Sequence, residues 1–193
     1  MKTKSLASIA RINSGSAVLR GGGDSLAVMV GDLDGSGQLP RTLTKVRAPA
    51  SGAASALSLG DIVISLRGNS NNAAVVDLED VAGTPLFATL DLAVVRLNDP
   101  ESVIPHYIAT WLNLPSTQAK LAENREGTAA KRLPLSPLKA LEIPLPTWER
   151  QAAIVSLARD VAEERRIGHR LLQLRTTLFN ACLAEAAVKE TAL

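Results

Sequence analysis

Residues 142–190 read EIPLPTWERQAAIVSLARDVAEERRIGHRLLQLRTTLFNACLAEAAVKE, and this stretch decides how the rest of the chain is to be read. Pro144 and Pro146 fix φ and remove two backbone donors, so residues 142–146 are expected to be extended. Thr147 can then cap a helix by accepting an N–H of its first turn, with Glu149 suited to the positive end of the helix dipole. From there to about Lys189 no proline intervenes. Ile154, Leu157, Val161, Leu171, Leu178 and Cys182 recur at steps compatible with a seven-residue repeat. One helix of that length would run roughly 60 Å at 1.5 Å per residue. Such a helix cannot bury its own apolar stripe, so a partner helix is expected from the head, from a second copy or from another protein. Glu164 and Gly168 interrupt the stripe, and a mid-helix glycine costs about 1 kcal/mol relative to alanine. That weak centre points to a kink or to a change of partner. The alternative is two core helices of a compact domain.

Working outward, the 193 residues are 46% hydrophobic and 21% charged, enough for one core of about 140 residues plus a helical stalk. The expected division is a head over residues 1–146 and a helix over residues 147–193. No apolar run approaches a membrane span, and MKTKSLASIARINSGS lacks the apolar block of a signal peptide, so a cytoplasmic location is expected. The single cysteine, Cys182, excludes an intrachain disulfide and a cysteine-based zinc site within one chain.

The net charge of +2 predicts no nucleic-acid partner by itself, but the charges are segregated. Arg41, Lys45, Arg47 and Arg67 stand against Asp61 alone in residues 41–76. Lys120, Arg125, Lys131, Arg132 and Lys139 stand against Glu123 and Glu126 in residues 120–139. Between the two, Asp77, Glu79, Asp80, Asp91, Asp99 and Glu101 stand against Arg96 alone. If the fold joins the basic segments, they make a face able to neutralise phosphates while the acidic segment points away. The bland alternative is a mixed, solvated surface.

The first 95 residues read as strands and turns. LAVMV, DIVISL, AAVV and DLAVVRL are the strand runs, and RAPASGAASA at 47–56 reads as a loop. GGGDS is not followed by the Gly-Lys-Ser/Thr of a phosphate loop. In DLDGSGQL, Asp32, Asp34 and Ser36 are spaced like calcium ligands. The twelfth position is Leu43 rather than glutamate, and the preceding LAVMV is a strand pattern, so a plain turn is the expectation.

Pro105 can open a helix with Ile104, Tyr107, Ile108, Trp111 and Leu112 on one face. Pro115 stops it, and STQAKLAEN starts a second. REGTAAKRL is a basic, glycine-containing loop, and Ser136-Pro137 can cap the short helix PLKALE. Tyr107 and Trp111 read as core. His106 and His169 have no partner at metal-ligand spacing, and no catalytic motif is present, so the chain reads as a binding module rather than an enzyme.

SLGDIVISLRG, then PHYIATWLNL, then a glycine loop, then EIPLP and WERQAAIV before a long helix, resembles the specificity subunits of type I restriction-modification systems. Gly60, Asp61, Ser65, Gly68, Tyr107, Leu112, Asn113, Gly127, Pro144, Leu145, Pro146, Gln151 and Ile154 carry that order. Such a subunit has two recognition domains and two long helices, whereas this sequence has one of each and Arg150 where glutamate is common, so it looks like a half-subunit.

The resemblance implies an α+β fold: a mixed, β-rich target recognition domain with small helices, then one long coiled-coil-forming helix. It implies a non-catalytic chain that reads a half-site in double-stranded DNA and forms a homodimer through antiparallel helices. A methyltransferase subunit would hold S-adenosylmethionine, a motor-nuclease subunit could join, and no cofactor would be bound by this chain. Arg41, Lys45, Arg47, Arg67, Asn69, Asn71, Asn72, Arg125, Lys131 and Arg132 are the candidate DNA contacts. Gly68 and Gly127 suit either close approach of backbone to phosphate or ordinary turns. Ile154, Leu157, Val161, Leu171, Leu178 and Cys182 are the candidate pairing face. A protein-interaction or regulatory subunit that does not itself read DNA is the alternative.

Overall fold

A computed structural model describes residues 2–50, 55–77, 83–127 and 131–190. Glu79 and Asp80 of the acidic segment, part of the 47–56 loop and part of the REGTAAKRL loop lie outside them. The chain divides into two units, Met1–Val155 and Ser156–Leu193.

The first unit is built on a four-stranded antiparallel sheet in the order β2 (Ala10–Ser14), β8 (Leu92–Leu97), β5 (Ile62–Ser65), β6 (Ala73–Val75). Its central strands carry the apolar runs IVI on β5 and LAVV on β8 because both faces are covered there. On β5, Ile62 and Ile64 enter one core cluster and Val63 the other; on β8, Ala93 and Val95 divide from Leu92 in the same way. The first cluster packs against α1 (Leu6–Ile9), α2 (Pro105–Leu112), α3 (Pro115–Glu123) and α4 (Leu135–Ala140) through Leu6, Ile108, Leu112, Leu121 and Leu138. The second packs against the sheet β4 (Thr44–Arg47), β3 (Leu19–Val28), β7 (Leu86–Ala88), in which β3 runs antiparallel to β4 and parallel to β7.

A third sheet pairs β1 (Lys2–Ser5) with β9 (Glu142–Leu145), antiparallel, with Thr3 opposite Pro144. Each strand of a two-stranded pair is an edge, which is where a proline that cannot donate is tolerated. The strand-helix-strand at residues 2–14 does not stand out in the sequence, because α1 is only four residues long. The second helix starts at Pro115 itself, and the short helix at Leu135 rather than at the Ser136-Pro137 pair.

In the DLDGSGQL turn, the Asp32 carboxylate accepts the Met29 N–H at 2.8 Å and that of Asp34 the Ser36 N–H at 2.8 Å. Both side chains therefore shape the local backbone.

The long helix α5 runs without interruption over Trp148–Glu190, 43 residues including Gly168. Its N-terminus forms as the prolines predict: the N–H groups of Arg150 and Gln151 both donate to the Thr147 carbonyl. The backbone N–H of Glu149 and, after it, the Thr147 side chain hold the Glu149 carboxyl below its ordinary value. No helix among the described residues is long and apolar enough to cross a membrane.

Candidate nucleic-acid interface

The loop that follows β5 carries Arg67, Gly68, Asn69, Asn71 and Asn72. Gly68 has φ of 99° and lies 3.4 Å, measured from the Cβ it lacks, from Val30, so the turn there needs glycine. The loop is held from several directions. The Ser65 hydroxyl bonds the Arg67 carbonyl, and the Asn71 amide donates to the Ser65 carbonyl at 2.7 Å. Gln118 on α3 accepts from the Asn71 N–H at 2.8 Å and donates to the Asn71 carbonyl at 2.9 Å. Asn113, at the end of α2, does the same for Ala73, at 2.8 Å each way. These amides, with the Gly37 carbonyl on the Val75 N–H, cover the open edge of β6.

The second basic segment closes onto this loop. Arg132 lies opposite Arg67 in an isolated bridge, and the Leu133 N–H donates to the Leu66 carbonyl at 2.8 Å. The Arg125 guanidinium donates to the Asn71 side chain at 2.9 Å and to the carbonyls of Gly68 and Asn69 at 3.2 and 3.0 Å. The fold thus joins residues 67–72 with residues 125–127 and 131–132 in one cluster. Arg41, Lys45 and Arg47 stand elsewhere, exposed on or before β4, where Arg47 donates to the Gly22 carbonyl at 3.3 Å.

Within the cluster the candidate side chains differ in what they offer. Asn69 and Lys131 are exposed. Arg67 is half exposed and bonds Asp91 at 3.0 Å, so a carboxylate of the acidic segment sits inside the basic cluster instead of pointing away from it. Arg132 donates to the Leu90 carbonyl at 3.3 Å. Asn71 is wholly buried, and Asn72 donates to the Leu33 carbonyl at 2.8 Å. Gly127 has φ of 102° and leads out of the same cluster.

One pairing was not legible. Asp61 and Arg96, each the lone opposite charge of its segment, form a two-bonded ion pair across β5 and β8 at 2.7 and 2.6 Å. Asp61 is buried and also accepts the Ser58 N–H, and the pairing raises the Arg96 pKa above its ordinary value. Their mutual neutralisation leaves the remaining charges of both segments more one-sided. His106 meets Asp77 at 3.2 Å.

Two of the residues that carry the resemblance to specificity subunits turn out to be tie points between its motifs. The Tyr107 hydroxyl donates to the Pro144 carbonyl at 2.6 Å, joining α2 to β9. Gln151, buried on the first turn of α5, accepts from the Ile104 N–H at 3.0 Å and donates to the carbonyls of Ser102 and Pro146. Segments far apart in the chain are thereby bonded to one another around the root of the long helix.

On α5, Ile154 packs against the core of the first unit together with Val155. Leu157, Val161, Leu171, Leu178 and Cys182 are exposed, Leu178 to 65%. Ile167, Leu172, Leu174 and Phe179 are exposed as well, so the apolar stripe is wider than the seven-residue repeat alone indicates.

No protein-family model matches this sequence, and no curated protein matches it. Solved structures do match. A chain from a structure concerning complex assembly and conformational transition of the type I R-M system is 16% identical, with a TM-score of 0.59 over 84% of this chain. The type I restriction-modification S subunit from M. genitalium is 17% identical, with 0.53 over 81%. The HsdS subunit from Thermoanaerobacter tengcongensis is 19% identical, with 0.56 over 85%. The fold is similar to that of part of a type I S subunit. This chain spans 37–38% of the length of those chains. In this S-subunit fold the expected α+β architecture is present: a β-rich head followed by one long helix.

Proposed function

We propose that the chain is a non-catalytic specificity half-subunit of a type I restriction-modification complex. Its head reads a half-site in duplex DNA, and its helix pairs with the helix of a second copy. The observation that carries this reading is the match of one head and one helix to little more than a third of each S-subunit-like chain. A full reader then needs two such units. A separate methyltransferase subunit supplies S-adenosylmethionine and the chemistry, and a motor-nuclease subunit can join the same assembly.

For the DNA contacts, the geometry favours the side chains that remain exposed: Arg41, Lys45, Arg47, Asn69 and Lys131, with Arg67 and Arg132 at the cluster. Asn71, Asn72 and Arg125 are better suited to shaping the loop that presents them. The test is co-expression with a methyltransferase subunit followed by sequencing of methylated adenines. One methylated sequence that disappears when this chain is omitted supports the reading. Replacing Arg67, Lys131 and Arg132 together by alanine is expected to weaken DNA binding about tenfold or more and to flatten its salt dependence. The melting temperature should change little.

The Arg67–Asp91 pair favours a second reading, an interaction subunit that does not read DNA, because it neutralises a cation in the middle of the cluster. Binding to the methyltransferase without any salt-sensitive, sequence-dependent DNA binding would decide for it.

A further inference from the structure

Between Ile154 and Cys182 the seven-residue positions of α5 contain two charges as well as a glycine. Carried on from Ile154, one row of the seam is Val161, Gly168, Arg175 and Cys182. Carried on from Leu157, the other is Glu164, Leu171 and Leu178. Glu164 and Arg175 are exposed and make no ion pair among the described residues. The neighbouring Glu163 and Arg166 do pair along the helix, at 2.5 Å. A seam that buries Glu164 and Arg175 unmatched would leave desolvated charges without partners, which costs several kcal/mol.

A parallel, in-register pair sets Glu164 against Glu164, Arg175 against Arg175, and Gly168 against Gly168, giving two repulsive layers and a void. An antiparallel pair sets one row against the other, and its registers differ by whole heptads. We propose that the second copy lies antiparallel in the register that places Glu164 of each chain against Arg175 of the other. This rests on the self-pairing reading above, whose antiparallel orientation it keeps, and deepens it by fixing the register.

In this register Val161 meets Leu178, Leu157 meets Cys182, and the space left by Gly168 receives Leu171. The exposed flanking residues Ile167 and Leu174 come side by side across the two chains. A slip of one heptad either way sets Arg175 against Leu157 or Leu171, and Glu164 against Gly168 or Cys182. Both slips desolvate charges without a partner. The favoured register also centres close to the midpoint of Trp148–Glu190, and its matched layers run from Leu157 to Cys182. Buried polar pairs of this kind add little stability but select register, their best-attested use in coiled coils. Each heptad of slip would shift equivalent points of the two copies by roughly 10 Å along the axis, at 1.5 Å per residue. The charge layers therefore act as the ruler that sets the spacing of two half-sites.

The experiment uses the full chain and its native Cys182. Sedimentation first establishes whether the wild type is a dimer. Mild oxidation of the Leu157→Cys variant should then join the introduced thiol of one chain to Cys182 of the other, as mapped by peptide mass spectrometry. The wild type should give no Cys182–Cys182 bond. Glu164→Arg and Arg175→Glu should each weaken self-association about tenfold or more. The double exchange Glu164→Arg/Arg175→Glu should restore it to within a few-fold, and a mixture of the two single variants should form the mixed dimer preferentially. Circular dichroism and an unchanged melting temperature of the head confirm that the variants fold. A dimer that cross-links through Cys182 of both copies, or that is indifferent to the single exchanges, overturns the register and leaves self-pairing intact. A wild type that stays monomeric at all concentrations overturns both.

Discussion

Two ion-pair situations separate the regions of this molecule. In the head, Asp61 is 1% exposed and Arg96 closes on it with two bonds supplied by the same chain. On the helix, Glu164 and Arg175 stand in the apolar seam with no ion-pair partner among the described residues. The same contrast holds for apolar groups: Ile64, Leu112 and Leu138 are fully buried, while Leu157, Leu171 and Leu178 are exposed. A region that satisfies its own polar and apolar groups has a stability independent of concentration. A region whose seam is open acquires stability only by mass action with whatever covers it.

That comparison can be broken most forcefully from the head. Asp61→Ala removes a buried carboxylate and strands Arg96; it is expected to destabilise the head by about 3 kcal/mol, the low end for a buried pair because Arg96 is half exposed. Thermal denaturation reads the loss, and helix self-association should persist below the new transition. Leu171→Glu with Leu178→Glu attacks the other side. Sedimentation should show self-association weakened by about a hundredfold, with the melting of the head unmoved, since neither side chain is buried. Simultaneous loss of the head would abolish the distinction between the regions.

Gln151→Ala sharpens the comparison where the helix is rooted. It leaves the Ile104 N–H and the carbonyls of Ser102 and Pro146 without their partner, at a cost of about 1–3 kcal/mol in denaturant unfolding. Glu149→Gln is the smallest change. The folded-state carboxyl lies below its ordinary value, so its ionised form stabilises the helix start. That contribution is present above the unfolded value and is lost as pH falls through the folded one. Acid titration followed by helix circular dichroism should show a shallower acid limb for the variant.

Much of this architecture was legible in the chain. Pro144, Pro146 and Thr147 locate the start of α5, and the apolar runs of β5 and β8 identify strands. Local chemistry acts over a few residues, and these signals are local. The Asp61–Arg96 pair and the grip of Gln118 on Asn71 join residues 35 and 47 apart, and only the packed fold brings them together. The candidate interface was legible as composition but not as orientation. Asn69 and Asn71 are the same residue type two positions apart, yet one is exposed and the other wholly buried beneath Arg125. Which of two loop amides faces outward depends on Ser65, Gln118 and Arg125, residues outside the loop triplet itself.

The pairing of β1 with β9 has a consequence for how the protein is made. Residues 2–5 meet residues 142–145, so during synthesis the early strand waits for its partner while some 140 residues are translated. At roughly 5–20 residues per second, that delay is on the order of ten seconds. The last seam of the head therefore shuts only as the root of the helix, with Gln151, Ile154 and Val155, is added to it, and the exposed remainder of the helix follows.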